Sequence, residues 1–273
     1  MRSEQESYRR LRLKTMERCE SNLNGKGQSV RRKGDLVDIS GDYQYRAINQ
    51  GNTIQRFWHF SKILAIDTLL PPCTDDTVLD VGCGSGVISH FLGATAEKVI
   101  GIDASPDAVK FAQKMYANSN VHFQVGLADQ LNEQEASFTK IYCLELIEHI
   151  YEFQFQSMLG CFSQLLKPGG KVFLTTPNYR SMWPLIEFLM DCLKLVPTMA
   201  DHQHVTKYNR YRLRNLCVAG GFSIQNICTM CFAAPWIAPF SWQAAKKLAK
   251  AELTFSHIPG SILICVLSKE EGR

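Results

Sequence analysis

What this chain of 273 residues lacks narrows it before any motif is read. No run of 18 uncharged apolar residues occurs, so no segment is expected to cross a bilayer as a helix. The first residues are rich in Arg and Glu and hold no apolar stretch of the kind a secretory leader needs. Glu4, Glu6, Glu17 and Glu20 also argue against an acid-poor transit peptide. Thirty Lys and Arg against 26 Asp and Glu leave a net charge of only +4, too little to argue for a nucleic-acid partner. Ten cysteines are scattered rather than paired. Cys228-x-x-Cys231 is the one close pair, and with no second pair or suitably spaced His it reads as two small apolar residues rather than a zinc site. Thiols such as Cys83, Cys143 and Cys265 fall in apolar segments and are expected to lie buried in a reducing compartment, the cytoplasm or another.

What is present begins with Val78-Leu79-Asp80-Val81-Gly82-Cys83-Gly84-Ser85-Gly86, followed by the apolar run Val99-Ile100-Gly101-Ile102 ending on Asp103. A strand entering a glycine-rich turn, with a carboxylate at the tip of the next strand, is how α/β folds hold a nucleoside. The glycines let the backbone approach the ligand, and the acid takes the ribose hydroxyls. This turn has its own absence: no Lys or Arg stands between Asp80 and His90, and the Gly-x-Gly-x-Gly spacing is not the Gly-x-Gly-x-x-Gly that seats a pyrophosphate. Asp80 would repel phosphate but attract an ammonium, directly or through water. S-adenosylmethionine (SAM), an adenosine with an ammonium and no phosphate, fits these requirements.

At this point the chain resembles the class I SAM-dependent methyltransferases. The likeness rests on residues 78 to 86, on Val-Ile-Gly-Ile-Asp (99 to 103), and on Leu-Lys-Pro-Gly-Gly followed by an apolar strand (166 to 175). It implies an α/β fold, a doubly wound and mostly parallel seven-stranded Rossmann-like sheet, with an N-terminal helical lid and a helical insert after the fifth strand. Residues 1–38 read as a basic arm, partly helical or disordered, and 39–273 as the methyltransferase domain with a cap at about 178–207. Strands are expected near 77–81, 98–102, 121–125, 140–144, 171–175, 223–230 and 261–267, and helices near 87–94, 106–118, 152–165 and 208–219.

In such folds the ligand lies beyond the C-terminal ends of the strands. The cofactor residues expected there are Asp80, Gly82, Cys83 and Gly84, then Asp103 and Ala104, then Ala128 and Asp129, then Leu144 and Glu145. Many relatives carry an Asp where this chain has Leu127, so adenine falls to the backbone around Ala128 or to Asp129. The fourth strand runs into Glu145-Leu146-Ile147-Glu148-His149, a Glu-x-x-Glu-His pattern that resembles the ubiquinone-biosynthesis O-methyltransferases and the small-RNA 2′-O-methyltransferases. Read as a helix, it places Glu145 and Glu148 on one face. These groups suit acid–base work, and no metal is required; the alternative is a divalent cation on Glu145, Glu148 and His149. Downstream, Asp201-His202-Gln203-His204-Val205 supplies a second imidazole, with His204 favoured and His202 the alternative. The expected catalytic set is His149, His204 and Glu148.

The resemblance implies a SAM-dependent methyltransferase that O-methylates a small lipophilic or aromatic hydroxyl. The rivals are an RNA 2′-O-methyltransferase with a Glu-x-x-Glu-His metal site and a non-catalytic SAM-binding partner subunit. Residues Trp183 to Val196 are apolar except for Glu187, Asp191 and Lys194, which share a stripe, and Phe232 to Trp242 is a second apolar stretch ahead of Lys246, Lys247 and Lys250. Both patterns are consistent with peripheral membrane contact, the default for the first being a packed core face.

Overall fold

The computed structural model describes residues 40–128, 130, 135–192, 204–255 and 259–269, with no side chain described at 187 or 189–192. The expected basic arm, Asp129, His202 and the end of the insert lie outside the described residues.

Seven strands form one sheet: β1 (Thr77–Val81), β2 (Lys98–Asp103), β3 (Val121–Val125), β4 (Phe138–Leu144), β5 (Leu166–Pro177), β6 (Phe222–Met230) and β7 (Ile262–Lys269). Their order is β3-β2-β1-β4-β5-β7-β6. The first five are parallel, while β7 runs antiparallel to both β5 and β6. The central strands are buried on both faces, and for that reason they read in sequence as continuous apolar runs such as Val78-Leu79 and Val172-Phe173-Leu174. Because the strand order reverses at β1 and β4, the crevice beyond their C-terminal ends is where this architecture receives a ligand.

Ahead of the sheet stand α1 (Tyr43–Asn49) and α2 (Thr53–Leu69). Asn52 separates them and caps α2 by accepting from the Gln55 N–H, a contact of about 1 kcal/mol. Between the strands lie α3 (Val87–Gly93), α4 (Pro106–Tyr116) and α5 (Glu152–Leu165). After β5 come α6 (Trp183–Cys192) and α7 (Arg210–Ala219). The helix boundaries agree with the sequence expectation to within two residues, since Ser105-Pro106 at the start of α4 and Asn209 before α7 are explicit caps.

Two further helices, α8 (Ala234–Ile237) and α9 (Trp242–Thr254), fill the connection between β6 and β7, where the sequence suggested only an apolar stretch and a basic cluster. Ser241 caps α9, and Trp242 packs on Phe57 and Phe60 of α2 at ring separations of 5.0 and 5.4 Å. Buried Glu252 of α9 accepts from the N–H groups of Phe232, Ala233 and Ala234, tying down the start of α8. Among the described residues, no helix is long and apolar enough to cross a membrane.

Candidate active site

The turn after β1 is a backbone cradle. Gly82, Gly84 and Gly86 have φ of +76°, +51° and +81°, a region that side chains with a Cβ rarely adopt. Two of these glycines do different work. A Cβ at Gly86 would sit 2.8 Å from Ala112 and 2.9 Å from Phe123, so this glycine lets the start of α3 pack against α4 and β3. A Cβ at Gly84 would meet nothing nearer than the Gln44 Oε1 at 3.7 Å, so this glycine faces open space beneath α1.

The N–H groups of Gly82 and Cys83 donate to the Ile102 carbonyl, and the Gly84 N–H donates to Asp103 Oδ2 at 2.9 Å. Asp103 Oδ1 accepts from the Ser105 N–H at 2.8 Å. Asp103 thus braces the turn while remaining partly exposed, and each of its oxygens keeps a second lone pair for a ribose hydroxyl. Burial raises its pKa against the pull of those two N–H groups. Ala104 and Ala128 are half-buried at the tips of β2 and β3, and Leu127 is exposed.

Asp80 is placed differently from an exposed ammonium partner. Only 2% exposed, it accepts from Ser89 Oγ at 2.6 Å and lies beneath the turn. Burial, helped by the charge of Asp103, pushes its pKa up to about 7. The raised value means that Asp80 favours the folded state fully at low pH and loses that contribution as pH rises through about 7. Without cofactor, the stability of Asp80→Asn relative to the wild type is therefore expected to grow between pH 5 and pH 8, by on the order of 1–4 kcal/mol. Melting curves of equal separation at both pH values would contradict this placement.

At the end of β4 the chain departs from the helical reading. Glu145 takes a left-handed conformation (φ +51°), and only Ile147–His149 form a helical turn, of the tighter 3₁₀ kind. Consequently Glu145 and Glu148 do not share a face. Thr175 Oγ1 donates to Glu145 Oε1 and Thr176 Oγ1 to Glu148 Oε2, both at 2.9 Å. Successive strand residues point to opposite faces, so the two threonines draw the glutamates apart. The other Glu145 oxygen lies 3.4 Å from the Lys62 ammonium of α2, a buried cation that docks this helix on the end of β4.

His204 takes the place expected for Glu145. One ligand atom each from Glu148, His149 and His204 lie within 4.8 Å of one another, the candidate metal-compatible group among the described residues. The His149 and His204 rings are 5.0 Å apart. Thr206 fixes the loop, its N–H donating to the Glu148 carbonyl and its hydroxyl to the Ile150 carbonyl. Glu148 is 1% exposed, and burial, reinforced by the charge of Glu145, holds its pKa well above the usual carboxylate range against the pull of His204. Trp183, at the start of α6, lies 6.2 Å from the His204 ring and 5.3 Å from the Trp58 ring of α2. Its indole N–H is buried and without a hydrogen-bond partner among the described residues.

Sequence reasoning missed Lys62 and the Thr175–Thr176 pair. The one legible signal was a lone cation inside the apolar run Ile63 to Leu70 and its flank.

Residues 78–170 match the family model described as a methyltransferase domain. Over 139 residues the chain is 33% identical to a ubiquinone biosynthesis O-methyltransferase of Leptothrix cholodnii, covering 50% of this chain and 55% of that protein. It is 27% identical over 169 residues to the mitochondrial ubiquinone biosynthesis O-methyltransferase of Rattus norvegicus, covering 59% of this chain and 48% of that one. The chain thus spans about half the length of the curated relatives it matches. Among solved structures, the complex of a Haloferax volcanii Trm112 methyltransferase activator with a putative methyltransferase aligns at a TM-score of 0.60 and 19% identity, over 87% of this chain and 100% of the matched chain. A possible histamine N-methyltransferase from Thermotoga maritima aligns at 0.60 and 17%, over 84% and 95%. Residues 78–170 are thus similar to a methyltransferase domain, and the fold is the one seen in solved SAM-dependent methyltransferases. Within that class the chain resembles the ubiquinone biosynthesis O-methyltransferases.

Proposed function

We propose that this protein transfers a methyl group from SAM to the hydroxyl of a small lipophilic or aromatic acceptor. The observation that carries the reading is the pairing of an open, phosphate-hostile glycine cradle with a carboxylate–imidazole cluster beyond the neighbouring strand. The residues fit the cofactor: Gly84 leaves space, Asp103 has lone pairs for a ribose, and Asp80 puts a titratable charge behind the turn rather than a phosphate-binding cation. When bound, SAM supplies an electrophilic methyl on a sulfonium. The chain's own task is then to hold the acceptor oxygen in line and to accept its proton. His204 and His149 are the proton acceptors in this reading, and Glu148 orients them. Trp58 and Trp183 form an aromatic wall beside His204 that suits an apolar or aromatic acceptor.

A second reading of the same cluster is favoured by its ligand chemistry. One carboxylate and two imidazoles within 4.8 Å can hold a divalent cation, with Glu148, His149 and His204 as ligands and Glu145 retained by Lys62. The cation would lower the pKa of a bound acceptor hydroxyl. Exhaustive chelation separates the two readings, since only the second loses activity. The acceptor class is tested by incubating the protein with methyl-labelled SAM and separate lipid and RNA extracts. Label in the lipid fraction is expected, and label in RNA alone would overturn the acceptor assignment.

A lipophilic acceptor is supported by exposed apolar side chains at the start of α6 and in the α8–α9 connection. Met182, Leu185 and Phe188 are exposed at and just before α6, with Phe188 61% open, and Phe240 beyond α8 is 88% open near exposed Phe232 and Trp236. Lys247 and Lys250 are exposed on α9, Lys250 standing 4.0 Å from Asp67 of α2. An apolar surface with adjacent ammonium groups suits an anionic bilayer. Phe188→Glu combined with Phe240→Glu is expected to lower sedimentation with phosphatidylglycerol-containing vesicles by roughly tenfold or more while leaving the melt nearly unchanged. A wild type that never sediments with such vesicles would point to a water-borne acceptor.

A further inference from the structure

The buried cation that docks α2 has more hydrogen-bonding capacity than the fold uses. Lys62 is 4% exposed and is the one fully buried Lys or Arg among the described residues. Its ammonium meets Glu145 Oε2 at 3.4 Å, its acceptor among the described residues, while Glu145 Oε1 is taken by Thr175. An ammonium carries three N–H donors, so at least two are left for another anion. A buried charge is costly unless its donors are met. The Glu145 side chain is 20% exposed, so the pair is not sealed off.

The pair stands next to the glycine cradle. Neighbouring strands β1 and β4 place Val81 opposite Cys143, so Cys83 and Glu145 each lie two residues past that pairing, at the same end of the sheet. A Cβ at Gly82 would lie 3.2 Å from the side chain of Leu146, the residue after Glu145. Helix α1 reaches the same turn, where the Ser85 hydroxyl donates to Gln44 Oε1 at 3.5 Å. On α2, Trp58 lies one turn before Lys62, so the cation and the aromatic wall share one side of this helix. The surroundings are acidic: Asp80, Asp103, Glu145 and Glu148 crowd the ends of β1, β2 and β4, and SAM adds a carboxylate of its own. The other arginines of α1 and α2 are exposed and engaged, Arg46 with Asp42 and Arg56 Nε with the Ile48 carbonyl.

We infer that Lys62 is the binding residue for the carboxylate of the cofactor's amino-acid tail, with Glu145 holding its ammonium in place. The inference rests on the SAM reading of the cradle. A hydrogen bond between two charged groups is stronger than a neutral one, and more so where water is scarce. The cofactor's single anionic group is thus met by a cation on a helix ahead of the sheet, and the turn itself needs none.

Lys62→Met keeps the apolar stem and deletes the ammonium. Calorimetry compares S-adenosylhomocysteine with its decarboxylated analogue, which keeps the adenosine, the thioether and the ammonium. The wild type is expected to bind S-adenosylhomocysteine about tenfold or more tighter than the analogue. In Lys62→Met that preference is expected to vanish, with the analogue bound within about twofold of wild type. Lys62→Met combined with Glu145→Gln leaves no unpaired charge behind and is expected to show the same loss, so a fold weakened by the single change does not hide the result. Equal weakening of both ligands, a preference that survives both variants, or one that disappears in Arg56→Gln instead overturns the inference. Failure of the wild type to bind S-adenosylhomocysteine would overturn the SAM reading on which it rests.

Discussion

Replacing His204 by alanine is expected to cut methyl transfer by about two to four orders of magnitude, the range general-base catalysis contributes, while S-adenosylhomocysteine binds within about twofold of wild type. The separation follows from the fold. The glycine cradle is braced by Asp103 and Ile102, whereas His204 belongs to a loop tied to Glu148 and Ile150, beyond β4. His149→Ala is expected to act in the same direction, its ring being 5.0 Å from that of His204. Initial rates and calorimetry on the same preparations check the result. If both variants keep full turnover near pH 7, alignment alone drives the reaction and neither imidazole is the base.

The second large effect is expected at Asp103. Alanine there removes the acceptor for the Gly84 and Ser105 N–H groups as well as the partner offered to the ribose, so the turn loosens at the same time as the ligand loses a contact. A loss of roughly 1–3 kcal/mol in cofactor affinity is expected, about 5- to 150-fold in dissociation constant, with asparagine at this position losing less because it keeps one acceptor oxygen. An unchanged dissociation constant in Asp103→Ala would move the ribose contact elsewhere.

The reach of sequence reasoning can be traced through these residues. Gly84 and Asp103 were legible because their placement is local: a left-handed turn and a carboxylate at the tip of the adjacent strand, accepting from the turn's own N–H, leave a spacing that no side-chain packing alters. The strands were legible because double-sided burial turns each into an apolar run. Glu145 was misplaced for a reason of parity. Its direction is decided by Thr175 and Thr176, thirty residues downstream, alternating across β5, and by Lys62 on a helix that precedes the sheet. The surroundings of His204 were similarly hidden, since Asn178 just after β5 bridges to Tyr208, which lies on the far side of α6 in the sequence. Helix α9 escaped because its lysines were read as a charge cluster, whereas Ala245, Ala249 and Leu253 form the buried stripe that seats it.

Calorimetry of the wild-type protein with S-adenosylhomocysteine and, separately, with NAD tests the central claim most directly. A cradle with no cation between Asp80 and His90, and with a buried acid behind it, is predicted to bind S-adenosylhomocysteine and show no heat with NAD. NAD binding tighter than S-adenosylhomocysteine would contradict the account.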